Sequence, residues 1–356
     1  MANICAPALF CTIKIPKGHK NVVNLVDYLV NIGRFVEHLE LWQLPGERID
    51  NLLVEIVKRC PNLRCLTITH SFGCKLGSSE LIQAIMLLPA LTSLSLMNPP
   101  DWLCGSRTED IIDSVLEPLL GSHGDRLRSL KVDGDGTLGT RCFALLTRDV
   151  PRLVELELWY ILDVGLRRPF AESSTWACAA HLQSLAFVGC GGLQANVFTQ
   201  MLASGVFGHP QRVSLSNCGS LSDDEKPPGP IEWTIPALDT FKLDYPKPWE
   251  MEHLQLIHAK KVFLSQVWGP DNTHKMVIHQ LAHKRAFPEA TEVHVTPIWC
   301  SEEFSELLRV CSARGVREVT RDWDRYNTTD NYGWFVGGTS KSEVRLDRHS
   351  CMYTRR

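Results

Sequence analysis

Two short patterns in this chain have the residue types and spacing of reactive sites. Gly134-Asp135-Gly136-Thr137-Leu138-Gly139 spells G-x-G-x-x-G behind a strand-like stretch, with Glu155 and Glu157 about 20 residues further on. Such a loop presents backbone N–H groups to a dinucleotide pyrophosphate. Here Asp133 and Asp135 would repel that pyrophosphate, so the pattern is read as the turn leaving a strand. His279-Gln280-Leu281-Ala282-His283 sets two imidazoles one helical turn apart, a spacing that can hold a metal. Gln280 stands where a zinc protease carries its glutamate base, and no neighbouring Cys or carboxylate completes a ligand set. The pair is read as helix surface, and no metal is expected. His253 and His258, five apart, are a weaker pattern still. No G-x-S-x-G elbow, phosphate-binding loop or kinase motif set occurs. The chain reads as a non-enzyme with no cofactor.

The 13 cysteines are scattered through the 356 residues, and no Cys-x-x-Cys pair occurs. The first residues lack a basic, then apolar, signal pattern. Reduced thiols in a cytoplasmic or nuclear protein are the expectation. A formal net charge of −3 gives no electrostatic footprint for nucleic acid. No apolar run is long enough to span a membrane.

The elements that would position any site come from a recurring pattern. Leu63, Leu66 and Ile68, behind Cys60-Pro61-Asn62, are spaced three and then two apart. The same spacing recurs at Phe10, Ile13 and Ile15; at Val36, Leu39 and Leu41; and at Leu91, Leu94 and Leu96. It returns at Leu127, Leu130 and Val132; at Leu153, Leu156 and Leu158; at Leu182, Leu185 and Phe187; and at Leu238, Phe241 and Leu243. Weaker copies run through Val213 and Leu215, Val262 and Leu264, Val293 and Val295, and Val316 and Val319. About twelve units at a period of about 28 residues are leucine-rich repeats, each a short strand followed by a helix. Apolar residues at helical spacing fill several intervals, including 49–57, 79–88, 109–116, 196–202 and 301–308. Proline just before the first leucine ends one helix and starts the next strand extended.

The fold expected is therefore an α/β leucine-rich-repeat solenoid of the ribonuclease-inhibitor-like horseshoe kind, with parallel strands concave and helices convex. The array should occupy 1–320. Residues 222–230 read as a loop replacing a helix, and 98–102 as an inserted loop. Residues 321–356, with Trp323, Tyr326, Tyr332, Trp334 and Phe335, read as a C-terminal cap and mobile tail.

Between the core positions, alternate side chains face out of the concave ladder. Glu40, Trp42, Met97, Glu155, Glu157 and Trp159 are the candidate partner-binding residues; each of the two tryptophans is either an interface anchor or a ring tucked under a neighbouring loop. His38, Lys131, Lys242, Phe263 and His294 occupy equivalent places. Within the clearest repeat, Cys65, Thr67 and Thr69 should point outward.

The run Ala6-Pro7-Ala8-Leu9-Phe10-Cys11-Thr12-Ile13-Lys14-Ile15 resembles the segment that follows the F-box in fungal F-box/leucine-rich-repeat proteins. The lead-ins Cys60-Pro61-Asn62-Leu63 and Val150-Pro151-Arg152-Leu153 also resemble that family. So do the cysteine-ended strands at Phe187-Val188-Gly189-Cys190 and Leu215-Ser216-Asn217-Cys218. The resemblance covers about residues 6–320 and lacks the F-box itself, as in a truncated gene product or a box-less relative. It implies a protein-interaction module like the substrate-recognition part of an SCF ubiquitin ligase adaptor, with a protein substrate on the concave face. SCF components would be partners only through an upstream F-box. A leucine-rich-repeat scaffold without a ligase link is the alternative.

Overall fold

The computed structural model describes residues 11–15, 22–42, 49–69, 79–97, 111–136, 145–161, 176–188, 190, 202, 204–216, 237–244, 257–265, 273–283, 287–295 and 301–321. Twelve strands form one parallel sheet in strict sequence order. They are β1 (Thr12–Ile15), β2 (His38–Trp42), β3 (Cys65–Thr69), β4 (Ser93–Met97), β5 (Ser129–Gly136) and β6 (Glu155–Ile161). β7 (Ser184–Val188), β8 (Arg212–Ser216), β9 (Leu238–Asp244), β10 (Ala259–Ser265), β11 (Glu292–Val295) and β12 (Glu318–Arg321) complete it. The described helices are α1 (Val22–Ile32), α2 (Ile49–Arg59), α3 (Ser79–Met86), α4 (Ile111–His123), α5 (Thr273–Ala282) and α6 (Ser301–Ala313). Among the described residues a helix stands between successive strands from β1 to β5 and from β10 to β12, and this open parallel sheet is the leucine-rich-repeat solenoid.

The pairing puts like on like. Ile13, Leu39, Leu66, Leu94, Leu130, Leu156, Leu185, Val213, Phe241, Val262, Val293 and Val319 stand side by side across the whole sheet. A second apolar row runs beside it through Leu41, Ile68, Leu96, Val132, Leu158, Phe187 and Leu215. Most of these side chains are buried. Each is worth about 1.5–3 kcal/mol relative to exposure. The helices contribute their apolar stripes, such as Leu53, Val54, Ile56 and Val57 on α2, and Leu81, Ile82, Ala84 and Ile85 on α3. Glu80 in the first turn of α3, and Lys58 and Arg59 in the last turn of α2, complement the helix dipoles.

The lead-in seen in the sequence is a turn. The Leu63 N–H donates to the Cys60 carbonyl at 3.3 Å, and the Leu153 N–H donates to the Val150 carbonyl at 3.3 Å. Asn62 Nδ2 donates across to the Arg34 carbonyl of the previous coil at 2.7 Å. All six cysteines among the described residues are free thiols. Burial pushes the Cys60 thiol up to about 12, and the Cys178 and Cys311 thiols up to about 11. They pack as small apolar groups, not as nucleophiles.

β5 corrects one reading. Gly134 and Gly136 lie within the strand, not in a turn after it, with a register shift between Asp133 and Gly136 and pairing that resumes at Gly136 opposite Ile161. The expected loops at 98–102 and 222–230, the tail 322–356 and all but Leu202 of the 196–202 helix lie outside the described residues.

Two coil-to-coil contacts constrain the stack tightly. Gly208 has φ +70°, and a Cβ built on it would fall 1.9 Å from the Ala179 carbonyl oxygen. Gly208→Ala should lower the urea midpoint markedly, through clash and backbone strain together. His123, buried on α4, accepts from Arg126 Nη2 at Nδ1 (2.9 Å). That fixes the neutral tautomer whose Nε2–H donates to the Ile85 carbonyl at 3.0 Å. Burial lowers the His123 pKa below the ordinary value. The unfolded chain therefore binds more protons, and stability present above pH ~6.5 is lost as pH falls toward the folded pKa. Urea unfolding between pH 8 and pH 5 should show this loss in the parent chain and a shallower slope in His123→Gln.

Candidate interaction surface

Strand alternation leaves three rows of side chains on the concave face. The central row reads Lys14, Glu40, Thr67, Ser95, Lys131, Glu157, Ala186, Ser214, Lys242, Phe263, His294 and Thr320 from β1 to β12. Its order is not random in size. A tall pair is followed by two small residues, then another tall pair, two more small residues, and a final tall group.

The tall pairs are ion pairs between neighbouring strands. Lys14 Nζ meets Glu40 Oε1 at 2.9 Å, and Lys131 Nζ meets Glu157 Oε1 at 2.9 Å. The row beside it adds Lys261 Nζ to Glu292 Oε2 at 2.9 Å, and Arg212 Nη2 to Glu155 Oε1 at 3.2 Å, across the intervening Ser184. Ser129 Oγ donates to the other Glu155 oxygen at 3.3 Å. The Lys261 ammonium, donating to Glu292, holds that carboxyl below the usual carboxylate range. These walls are tall but locally neutral. Such half-exposed pairs fix geometry more than they stabilise, at about 0.2–1 kcal/mol each.

Between the walls lie two low stations. At β3 and β4 the floor is Cys65, Thr67, Ser93 and Ser95, and at β7 and β8 it is Ala186 and Ser214. Their centres are four strands apart, about 19 Å at ~4.8 Å per strand. Thr69, on the same side of β3, is buried with no hydrogen-bond partner for its Oγ1.

The six candidate residues fall unequally on this surface. Glu40 and Met97 lie on it, half-buried. Glu155 and Glu157 lie on it too, already engaged by Arg212 and Lys131. Trp42 ends β2 opposite Thr69, and its side chain lies outside the described residues. Trp159 stands in register with Asp133 and Val188, yet it is only 3% exposed, with Nε1–H donating to Glu157 Oε2 at 3.3 Å. Of the two readings of Trp159, the ring is the tucked one: it is part of the packing. Thr69, Lys242 and His294 are likewise buried, as are the floor residues Ser95 and Ala186. His294 stacks on Phe263 at 4.4 Å between ring centroids, bonds Thr320 Oγ1 through Nδ1 and approaches Glu292 through Nε2.

Lys14, Arg212, Ser95 and Ser214 join the surface without being among the candidates, and Thr67 faces out as its spacing predicts. The signal for the ion pairs was there: opposite charges at the same repeat position in adjacent units. Among the described residues no group of three or more His, Cys, Asp or Glu is placed to hold a metal ion. No helix among them is long and apolar enough to cross a membrane.

No family model matches the chain, and no curated protein matches it. Among solved structures, a chain in a complex of Rad7 and Elc1 from yeast is similar at 12% identity and a TM-score of 0.37, over 76% of this chain and 73% of that one. A likeness of that size says nothing about what this chain binds.

Trp159→Ala should lower stability by about 3–5 kcal/mol as a buried aromatic, and Glu157→Gln by about 0.5–1.5 kcal/mol through the weakened Lys131 and Trp159 contacts. Urea denaturation of both variants checks the order.

Proposed function

We propose that the chain is a protein-interaction module that takes its partner on the concave face. The observation that supports this most is the central row, where neutral ion-paired walls alternate with low, small-residue floors across eight strands. A surface of varied height and balanced charge discriminates by shape and hydrogen bonding, as protein interfaces do. It gives a polyanion no concentrated positive field. Glu40, Met97, Glu155, Glu157 and the ladder position of Trp42 border the contact area, while Trp159 supports it from within.

The F-box/leucine-rich-repeat resemblance favours one setting for this module, substrate recognition for an SCF-type ubiquitin ligase in the cytoplasm or nucleus. The residues 321–356 would then cap the array. A leucine-rich-repeat interaction scaffold without ligase components is the second reading.

Affinity capture with the full chain and two floor variants tests the surface. Thr67→Arg and Ser214→Arg should each weaken partner recovery by about tenfold or more, because a buried unmatched charge blocks a fitted contact. Tyr28→Arg, on the exposed outer surface of α1, should leave recovery unchanged. Equal recovery with all three would remove the concave face from consideration. Cullin adaptor subunits among the captured proteins would support the ligase setting, and a partner set without them the scaffold.

A further inference from the structure

We propose that His279 and His283 form a chelating site for a divalent transition metal, Zn2+ in the first instance, on the convex surface. Val277, Ile278 and Leu281 face inward from α5, while both histidines are exposed on the opposite side of the helix. The His283 N–H donates to the His279 carbonyl at 3.1 Å, so the turn that sets their spacing is closed. The two rings already meet edge to face, with centroids 4.2 Å apart. Two imidazoles at this i, i+4 spacing can reach one ion at the zinc–imidazole distance of about 2.0–2.1 Å once their rings rotate toward it. Imidazole suits Zn2+, Cu2+ and Ni2+ and discriminates against Ca2+ and Mg2+, which want oxygen.

The backbone favours a cation at this place. His279 sits in the last turn of α5 and His283 just past its last residue, Ala282, at the negative end of the helix dipole. Lys275, one turn earlier, is an opposing charge with an exposed side chain, and Lys284 and Arg285 follow His283 in the sequence. Two protein ligands leave two tetrahedral positions for water or for a donor from another molecule. The sequence pattern alone, lacking a third ligand nearby, predicts bare surface. The ring contact and the exposure argue for a bidentate surface site instead.

The site is independent of the concave face, so its test does not depend on any partner. The full chain is titrated with ZnCl2 by calorimetry beside His279→Ala and His283→Ala. The parent chain should bind one Zn2+ equivalent that each single variant weakens by roughly tenfold or more, because one imidazole loses the chelate advantage. Zn2+ should also raise the thermal midpoint of the parent chain and not that of the variants. Both variants should keep the parent's urea midpoint, since neither side chain is in the core. Identical zinc isotherms for all three chains, or no zinc binding by the parent, would overturn the proposal.

Discussion

Each coil of this protein depends on the next for its main-chain hydrogen bonds. The carbonyl of Glu37 receives the N–H groups of both Arg64 and Cys65, that of Arg64 receives Thr92 and Ser93, and that of Thr92 receives Arg128 and Ser129. The same fork recurs at Arg128, Val154, Gln183, Gln211 and Thr291. No strand of four to eight residues could hold its register alone, and a slip by one residue would turn every core side chain outward. The repeated apolar spacing prevents that slip, because only one register stacks leucine on leucine. Stability is then additive along one axis, and the concave rows come into line as a consequence.

That alignment turns sequence positions far apart into neighbours. Glu155 and Arg212 are 57 residues apart, yet they meet across one intervening strand. The result is a surface whose relief is set two strands at a time by side-chain size. Because its charges are paired within the face, a partner gains by fitting the floors, not by neutralising the walls. Arginine or lysine brought by a partner would have to compete with Lys131 or Arg212 for carboxylates already engaged.

The array was legible because its signal is periodic. Leu63, Leu66 and Ile68 are buried as their spacing demands, and even the weak copies at Val213 and Val319 pair in register. The site was legible only in part. Spacing says which side of a strand a residue takes, and on that count Trp159, Lys242 and His294 are where expected. It does not say how high the neighbours stand. His294 is covered in part by Phe263, a contact between residues 31 positions apart in the chain that no local pattern marks. The glycine-rich run misled for a related reason: a strand with a register shift carries the same letters as a turn.

Side-chain footprinting of the chain with and without a captured partner tests the central claim most directly. Hydroxyl-radical labelling of Cys65 and Met97 on the concave floor, and of Tyr28 and Leu87 on the outside, reports both surfaces in one experiment. The account predicts protection of Cys65 and Met97 in the complex with unchanged labelling of Tyr28 and Leu87. Protection of the outer pair with a freely labelled floor would contradict it.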